Sequence, residues 1–373
     1  MTLDSLLRAA VEDGVFPGCV ALVWRAGAPR YLGAHGRLAS HPAAAELATP
    51  VGPQTVYDLA SLTKVLSTTT LLARAIGQGR LALDDRLPDS LAPVGGRLRL
   101  GDLLEHAAGL EAHREFFHEP WCLQANQREA LIEAVREIPS ACPPRTRAIY
   151  TDLGFLLLGA WLEQLEGARL DELFREHIAE PLGVADQIGF CPLDRPAPFA
   201  REWVAPTEVY RPTQEGASEH WHSIRAQLGQ PFAHGIVHDD NCVIASGVAG
   251  HAGLFGTAAG VLAIARAWLE RRLPGVPEAE QERVWALFST PSSVPGSTRR
   301  RGFDGPSPDG SGSTGSALSS AAIGHLGFTG TSVWIDPERE AIYVLLSNRV
   351  HPSRHDPRIR GLRQRFHALA AGL

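Results

Sequence analysis

The stretch Tyr57-Asp-Leu-Ala-Ser-Leu-Thr-Lys64 places Ser61 three positions before the single lysine among the 35 lysines and arginines of the chain. Arginine stays charged at any working pH, whereas a buried lysine can be tuned to lose its proton and act as a base. Residues i and i+3 of a helix share one face, so the Ser61 hydroxyl and the Lys64 amine are predicted to meet within hydrogen-bonding reach. This is the geometry of a serine nucleophile with a lysine partner. Because Ser-x-x-Lys also occurs by chance, the pair needs support from the rest of the chain.

The composition is that of a globular protein with a small-molecule partner. The 373 residues are 44% hydrophobic and 20% charged, enough for one composite domain or two. A net charge of −6 and a pI of about 6.2 leave no basic face for nucleic acid. A small neutral or anionic substrate is therefore favoured.

The cysteines and the N-terminus bear on the cellular location. The 5 cysteines are odd in number and widely spaced, which indicates isolated buried thiols rather than a disulfide framework or a zinc knuckle. The first residues lack a basic stretch followed by an apolar one, and no window approaches about 18 uninterrupted apolar residues. The sequence therefore predicts no membrane span and a cytoplasmic location, or a periplasmic one if a leader precedes it. No pattern indicates a cofactor or an oligomeric state.

Strand patterns occur at both ends of the chain, with helical patterns between them. An amphipathic helix is predicted over 1–15, and apolar runs at 19–24 and 31–35 predict paired strands. Helical periodicity follows at 71–76, 101–106, 128–137 and 153–165, and Thr257 is the N-cap of a helix that runs to 272. A Ser-, Gly- and Pro-rich loop at 289–321 precedes three strands at 323–328, 332–335 and 341–347 and a helix at 358–369.

This order of elements predicts an α+β fold. Residues 1–58 and 251–373 form an antiparallel sheet flanked by terminal helices, and residues 59–250 form an inserted, mostly helical domain. The active site is expected in the cleft between the two parts.

Three motifs in order carry a resemblance that extends over nearly the whole chain: Ser61-Leu-Thr-Lys64, Tyr150-Thr-Asp152 and His325-Leu-Gly327. They resemble the S-x-x-K, Y-x-N and K-T-G or H-T-G motifs of the serine β-lactamase, penicillin-binding protein (DD-peptidase) and esterase superfamily, in the branch of class C β-lactamases. The resemblance implies the β-lactamase/transpeptidase-like fold. It also implies hydrolysis of an ester, amide or β-lactam carbonyl through an acyl-enzyme.

The resemblance also implies roles for individual residues. Ser61 would attack the carbonyl at the electropositive start of a helix, with Lys64 and Tyr150 as the candidate bases. The family places the oxyanion hole on two backbone N–H groups, which here would belong to Ser61 and Phe328. Gly327 would have no side chain to block the approach of the substrate.

Two departures from the family pattern bear on the chemistry. Asp152 replaces the common Asn, and its charge would favour a protonated Lys64 and disfavour a Tyr150 phenolate, so the identity of the base stays open. Leu326 stands where Thr or Ser usually offers a hydroxyl to the carboxylate of the substrate. With a neutral or partly charged His325 in place of Lys, the site is expected to bind anionic termini less well.

Leu326 therefore motivates the hypothesis that esterase or neutral-amide hydrolase activity exceeds β-lactamase activity. Arg299, Arg300 and Arg301 could supply the missing cation, although a short run of charges is more often a solvated face. The choice among D-Ala peptides of peptidoglycan, β-lactams and short-chain esters is expected to depend on cleft walls formed by loops near 111–127, 199–235 and 289–321.

Two other classes of function compete with this interpretation. A metal-dependent hydrolase is suggested by 15 histidines and by two clusters, His220 with His222, and His234 with His238 and Asp240. No H-E-x-x-H motif accompanies them, so no metal site is predicted. A protein with this fold could also be a non-catalytic sensor or binding protein, because fold does not fix function. Retention of the Ser-x-x-Lys pair argues against that alternative.

Overall fold

Both ends of the chain contribute to one large antiparallel sheet. The computed structural model describes residues 1–93, 98–209, 218–228 and 232–373. The strands are β1 (Gly18–Arg25), β2 (Ala28–Gly36), β3 (Tyr57–Asp58), β4 (Ile188–Phe190), β5 (Leu254–Gly256), β6 (Ile323–Leu326), β7 (Ser332–Asp336) and β8 (Ala341–Ser347). The large sheet has the order β2-β1-β8-β7-β6, and a small sheet has the order β3-β5-β4. The predicted α+β class is confirmed.

Helices cover both faces of the large sheet and fill the middle of the chain. The α-helices are α1 (Leu3–Glu12), α2 (Thr70–Gly77), α3 (Leu100–Leu104), α4 (Gln127–Arg136), α5 (Leu153–Glu166), α6 (Leu170–Phe174), α7 (Glu219–Gln227), α8 (Asp240–Ile244), α9 (Ala258–Leu269), α10 (Gln281–Ser289) and α11 (Ile359–Ala370). Short 3₁₀ and π-helical turns connect several of them. Within the described ranges, no helix is long and apolar enough to cross a membrane.

Strand β1 is a continuous apolar run because both of its faces are buried. Cys19 and Val23 point toward the terminal helices α1 and α11 and share a core with them. Val20 and Leu22 point the other way, into the larger core that includes α9. The large sheet is therefore a middle layer between the terminal helices and the rest of the molecule.

Element boundaries differ from the predicted ones for local reasons. Thr257 caps α9 as predicted, since its side chain accepts a hydrogen bond from the Gly260 N–H at 3.1 Å. The helix ends at Leu269 rather than 272, and Arg271 follows in the left-handed region with a φ of 53°. Strand β6 ends at Leu326, so the two residues after it lie in the turn to β7.

The small sheet was not predicted. Its strands have only two or three residues, too few to show an alternating pattern. It joins β4, from the segment predicted to be helical, to β3 and β5 on either side of that segment. The predicted boundary after residue 58 thus falls at the end of β3, which leads directly to Ser61.

Candidate active site

Ser61 and Lys64 lie at the start of the helical segment that leads into α2. Lys64 Nζ is 3.0 Å from Ser61 Oγ, and the lysine side chain is fully buried. The segment Lys64–Thr69 is π-helical, a conformation that often accompanies functional sites. Before the serine, Ala60 has a left-handed φ of 48°, and its N–H donates to Asp58 Oδ1 at 2.8 Å. This bond fixes the turn that presents Ser61 to the cleft.

Asp152 determines the charge of Lys64. Its Oδ1 is 2.7 Å from Lys64 Nζ, and its Oδ2 is 3.1 Å from Nδ1 of His113. Burial alone would lower the pKa of Lys64, but its interactions with Asp152 and Tyr150 raise it above its ordinary value. Burial alone would raise the pKa of Asp152, but Lys64 and His113 hold it well below its ordinary range. The site thus holds an ammonium against a carboxylate.

Two cations lie close to the ring of Tyr150. Lys64 Nζ is 5.0 Å from the centroid of its ring, and Arg299 Cζ is 4.8 Å from the same centroid. The rings of His106 and His325 pack against it, at centroid distances of 4.7 Å and 5.6 Å. Tyr150 and Ser61 line the same cleft, so the three predicted catalytic residues are brought together.

His325 is a neutral residue of the cleft. It is buried, and its Nδ1–H donates to the carbonyl of Leu326 at 2.8 Å. Burial, followed by the nearby charges of Lys64 and Arg299, lowers the pKa of His325 to about 3. Of the two charge states that the sequence leaves open, the structure therefore favours the neutral one.

The backbone donors proposed for an oxyanion are available in this structure. Within the described residues, neither the N–H of Ser61 nor that of Phe328 donates to a protein acceptor, and both residues line the cleft. A Cβ on Gly327 would lie 2.0 Å from Thr331 Oγ1 and 2.6 Å from the carbonyl oxygen of Leu59. Glycine is therefore required here by packing beneath the turn, which is a different reason from the predicted one.

The cleft around Ser61 has a volume of about 720 Å³. Of the three loops predicted to form its walls, 111–127 contributes His113 and Glu115, and 289–321 contributes Arg299. The prediction for 199–235 is wrong for the described part of that loop, which does not line the cleft. Residues 349–363, which follow strand β8, form that wall instead.

The wall formed by residues 349–363 is rich in arginine. Arg354 forms an ion pair with Glu208, whereas Arg349 and Arg360 have no carboxylate partner in the described part of the chain. This wall is not among those predicted from the sequence. The available signal was the recurrence of arginine at 349, 354, 358 and 360, directly after the last predicted strand of the sheet.

The arginine run at 299–301 is split between the cleft and the core. Arg299 lines the cleft and pairs with Asp304 at 2.8 Å. Arg300 is buried and donates to the carbonyl of Ser320, and Arg301 pairs with Glu105. Of these three arginines, only Arg299 is placed to act on a substrate.

Two histidines of the metal hypothesis, His234 and His238, have other partners in the structure. His234 Nε2 donates to the carbonyl of Arg201 at 2.9 Å, and His238 Nε2 lies 3.0 Å from Glu208. The side chain of His220 lies outside the described residues. Among the described side chains, no three His, Cys, Asp or Glu residues converge on a point that could hold a metal ion.

Comparison with known proteins covers almost the whole chain. The family model described as Beta-lactamase matches residues 3–366. The chain is 28% identical over 374 residues to "Putative D-alanyl-D-alanine carboxypeptidase" of Escherichia coli O157:H7, across 95% of this chain and 83% of that protein. It is 28% identical over 374 residues to "N-acetylmuramyl-L-alanine amidase" of Bacillus subtilis (strain 168), across 95% of this chain and 82% of that one. A penicillin-binding protein homolog from Caulobacter crescentus has a similar structure, with a TM-score of 0.72, 19% identity, and coverage of 99% and 96%.

Proposed function

Since the chain belongs to the β-lactamase family, it is a serine hydrolase of the β-lactamase, DD-carboxypeptidase and esterase type, and we propose that Ser61 is its nucleophile. The observation that supports this assignment is the 3.0 Å contact between the Ser61 hydroxyl and the buried Lys64 amine. Ser61 Oγ attacks the substrate carbonyl, and the resulting oxyanion binds the N–H groups of Ser61 and Phe328. Water then hydrolyses the acyl-enzyme.

Tyr150 is the residue that accepts the Ser61 proton in this proposal. Lys64 is a poor acceptor, because its contact with Asp152 keeps it protonated. The ammonium of Lys64 and the guanidinium of Arg299 attract the negative charge that Tyr150 carries when it has lost its proton. Tyr150 then returns a proton to the leaving group.

The preferred substrate is an amide or ester whose leaving group carries a carboxylate, as in a peptide that ends in D-Ala. Arg349 and Arg360 support this choice, because they bring positive charge to the cleft without a carboxylate partner in the described structure. The name of the E. coli relative points to the same substrate class. A neutral ester is the second candidate, favoured by Leu326, which offers no hydroxyl to a carboxylate.

The test is a rate panel with wild type and Ser61→Ala run side by side. The substrates are a D-Ala-D-Ala peptide, the same peptide with its C-terminus amidated, a chromogenic cephalosporin and a short-chain p-nitrophenyl ester. We expect the free peptide to exceed its amide by at least about tenfold in kcat/KM, and Ser61→Ala to lose all turnover. Equal rates for the peptide and its amide, with a faster p-nitrophenyl ester, would support the neutral-ester candidate instead.

A fluorophosphonate probe separates the enzyme from the non-catalytic alternative. The probe should label wild type covalently and leave Ser61→Ala unlabelled. Failure to label a folded wild-type protein, together with an inert rate panel, would contradict the proposed function.

A further inference from the structure

Arg363 is a buried cation that the mechanism above does not use. It lies on α11 with 6% of its surface exposed, and it has no carboxylate partner among the described residues. Burial, followed by the charge of Arg349, lowers its pKa to about 9. Burying a guanidinium without a counter-charge is costly, so its retention calls for a compensating role.

Both described side-chain hydrogen bonds of Arg363 go to the turn between β6 and β7. Its Nη2 donates to the carbonyl of Gly327 at 3.0 Å and to the carbonyl of Thr331 at 2.8 Å. The Gly327 N–H also donates to the Thr331 carbonyl, at 2.8 Å. One guanidinium nitrogen thus holds both ends of the turn.

The carbonyl of Gly327 and the N–H of Phe328 belong to the same peptide group. A trans peptide is planar, and its C=O and N–H point in opposite directions. The bond from Arg363 therefore directs the Phe328 N–H away from the guanidinium, and Phe328 lines the same cleft as Ser61. A charged donor on the carbonyl also polarises the peptide and makes its N–H a stronger donor.

Two threonines hold the same turn against the segment that carries the nucleophile. Thr329 Oγ1 donates to the carbonyl of Asp58 at 2.6 Å, and Thr331 Oγ1 donates to the carbonyl of Leu59 at 3.1 Å. Both bonds are buried, and both end within three residues of Ser61. The turn is thus fixed from two sides, by α11 and by the nucleophile segment.

We propose that Arg363 is a positioning residue for the oxyanion hole, orienting and polarising the Phe328 N–H through the carbonyl of Gly327. This inference rests on the proposed function, because it assumes that the Phe328 N–H binds the oxyanion. Arg363 lines the same cleft but forms its described side-chain hydrogen bonds to the Gly327 and Thr331 carbonyls and not to Ser61. It acts on the charge that develops during reaction rather than on substrate binding.

The experiment compares Arg363→Met, Arg363→Lys and the control Arg365→Met with wild type. Arg365 is exposed on the same helix and bonds only to Met1 Sδ among the described contacts, so its loss removes the same charge without touching the turn. The readouts are kcat and KM for a neutral p-nitrophenyl ester, the Kd of phenylboronic acid, and Tm. The boronate places an oxygen where the oxyanion forms.

We expect Arg363→Met to lower kcat about 10- to 100-fold and to raise the Kd of phenylboronic acid by a similar factor. KM should change less than about threefold. Arg363→Lys, which keeps a charged donor, should recover part of the loss, and Arg365→Met should match wild type. The proposal is overturned if a folded Arg363→Met keeps the wild-type kcat and boronate affinity, or if its loss lies in KM alone.

If Arg363→Met does not fold, the same comparison is made with Arg363→Lys: a loss in kcat and boronate affinity supports the proposal, and a loss in KM alone overturns it. A Lys variant with the wild-type Tm, kcat and boronate affinity would also overturn the proposal, because lysine cannot reproduce the planar guanidinium geometry. Failure of the proposed function is distinguishable, since it appears as turnover that survives Ser61→Ala, or as a folded wild type that is inert and unlabelled, whatever happens at Arg363.

Discussion

Asp152 sets the proton balance of the site at the scale of a single residue. A carboxylate 2.7 Å from a fully buried lysine keeps that lysine charged, and the bond to Asp152 also raises the pKa of His113. In a chain with Asn at this position, the effect of burial on the pKa of Lys64 would be opposed by Tyr150 without the carboxylate of Asp152. The Asp thus favours one division of labour, in which Lys64 supplies charge and Tyr150 moves the proton.

Asp152→Asn tests this division of labour. Without the carboxylate, burial lowers the pKa of Lys64, so the lysine loses its charge at a lower pH than in wild type. We expect the alkaline limb of the kcat/KM profile to move down by about one pH unit or more. The measurement is a pH–rate series on the preferred ester or peptide, with Tm recorded at each pH. An alkaline limb that stays in place would show that the charge of Lys64 is not required.

At the scale of elements, the turn after β6 joins packing to chemistry. A Cβ at Gly327 would overlap Thr331 Oγ1 and the Leu59 carbonyl, which are the groups that tie the turn to the nucleophile segment. Gly327→Ala is therefore expected to cost about 1–3 kcal/mol of unfolding free energy and to reduce kcat as the turn shifts. Urea unfolding and steady-state kinetics measure the two effects.

Gly361→Ala is the matched control for that prediction. Gly361 lies within α11, and a Cβ there meets nothing within 4 Å. Alanine should stabilise the helix by about 1 kcal/mol and leave kcat unchanged. A Gly327→Ala variant as stable and as active as wild type would contradict the requirement for glycine at this turn.

The length of an element determines whether it could be predicted from the sequence. Strand β1 and strands β6 to β8 are long and apolar enough to be recognised, and Thr257 indicates the start of α9 because it is a typical N-cap residue. The small sheet has strands of two or three residues, which show no period. The three motifs predict the catalytic residues, because each motif is a pattern of three or four consecutive residues. The recurrence of arginine after strand β8 is visible in the sequence, but its position beside Ser61 and the role of Arg363 depend on contacts between segments far apart in the chain.

At the scale of the whole molecule, buried histidines link stability to pH. Burial lowers the pKa of His325 to about 3 and that of His367 to about 4, both below the ordinary value of 6.5. As the pH falls, these histidines therefore become protonated in the unfolded chain before they do in the folded protein. Stability is lost as the pH falls from about 6.5 toward the folded-state pKa values. Asp58 acts in the opposite direction, because burial raises its pKa to about 7 and protonation below that pH favours the folded state.

His367→Gln isolates one of these contributions. His367 is fully buried on α11, and its Nδ1–H donates to the carbonyl of Arg363 at 2.8 Å, a bond that a Gln amide can replace in part. Wild type should lose roughly 2 kcal/mol more unfolding free energy than the variant between pH 7 and pH 5, because only wild type has this histidine to protonate on unfolding. Urea unfolding at both pH values measures the difference, with the exposed His355→Gln as control. Parallel losses in wild type and His367→Gln would show that proton uptake by His367 does not contribute, and the acid sensitivity would then belong to His325 and the other buried groups.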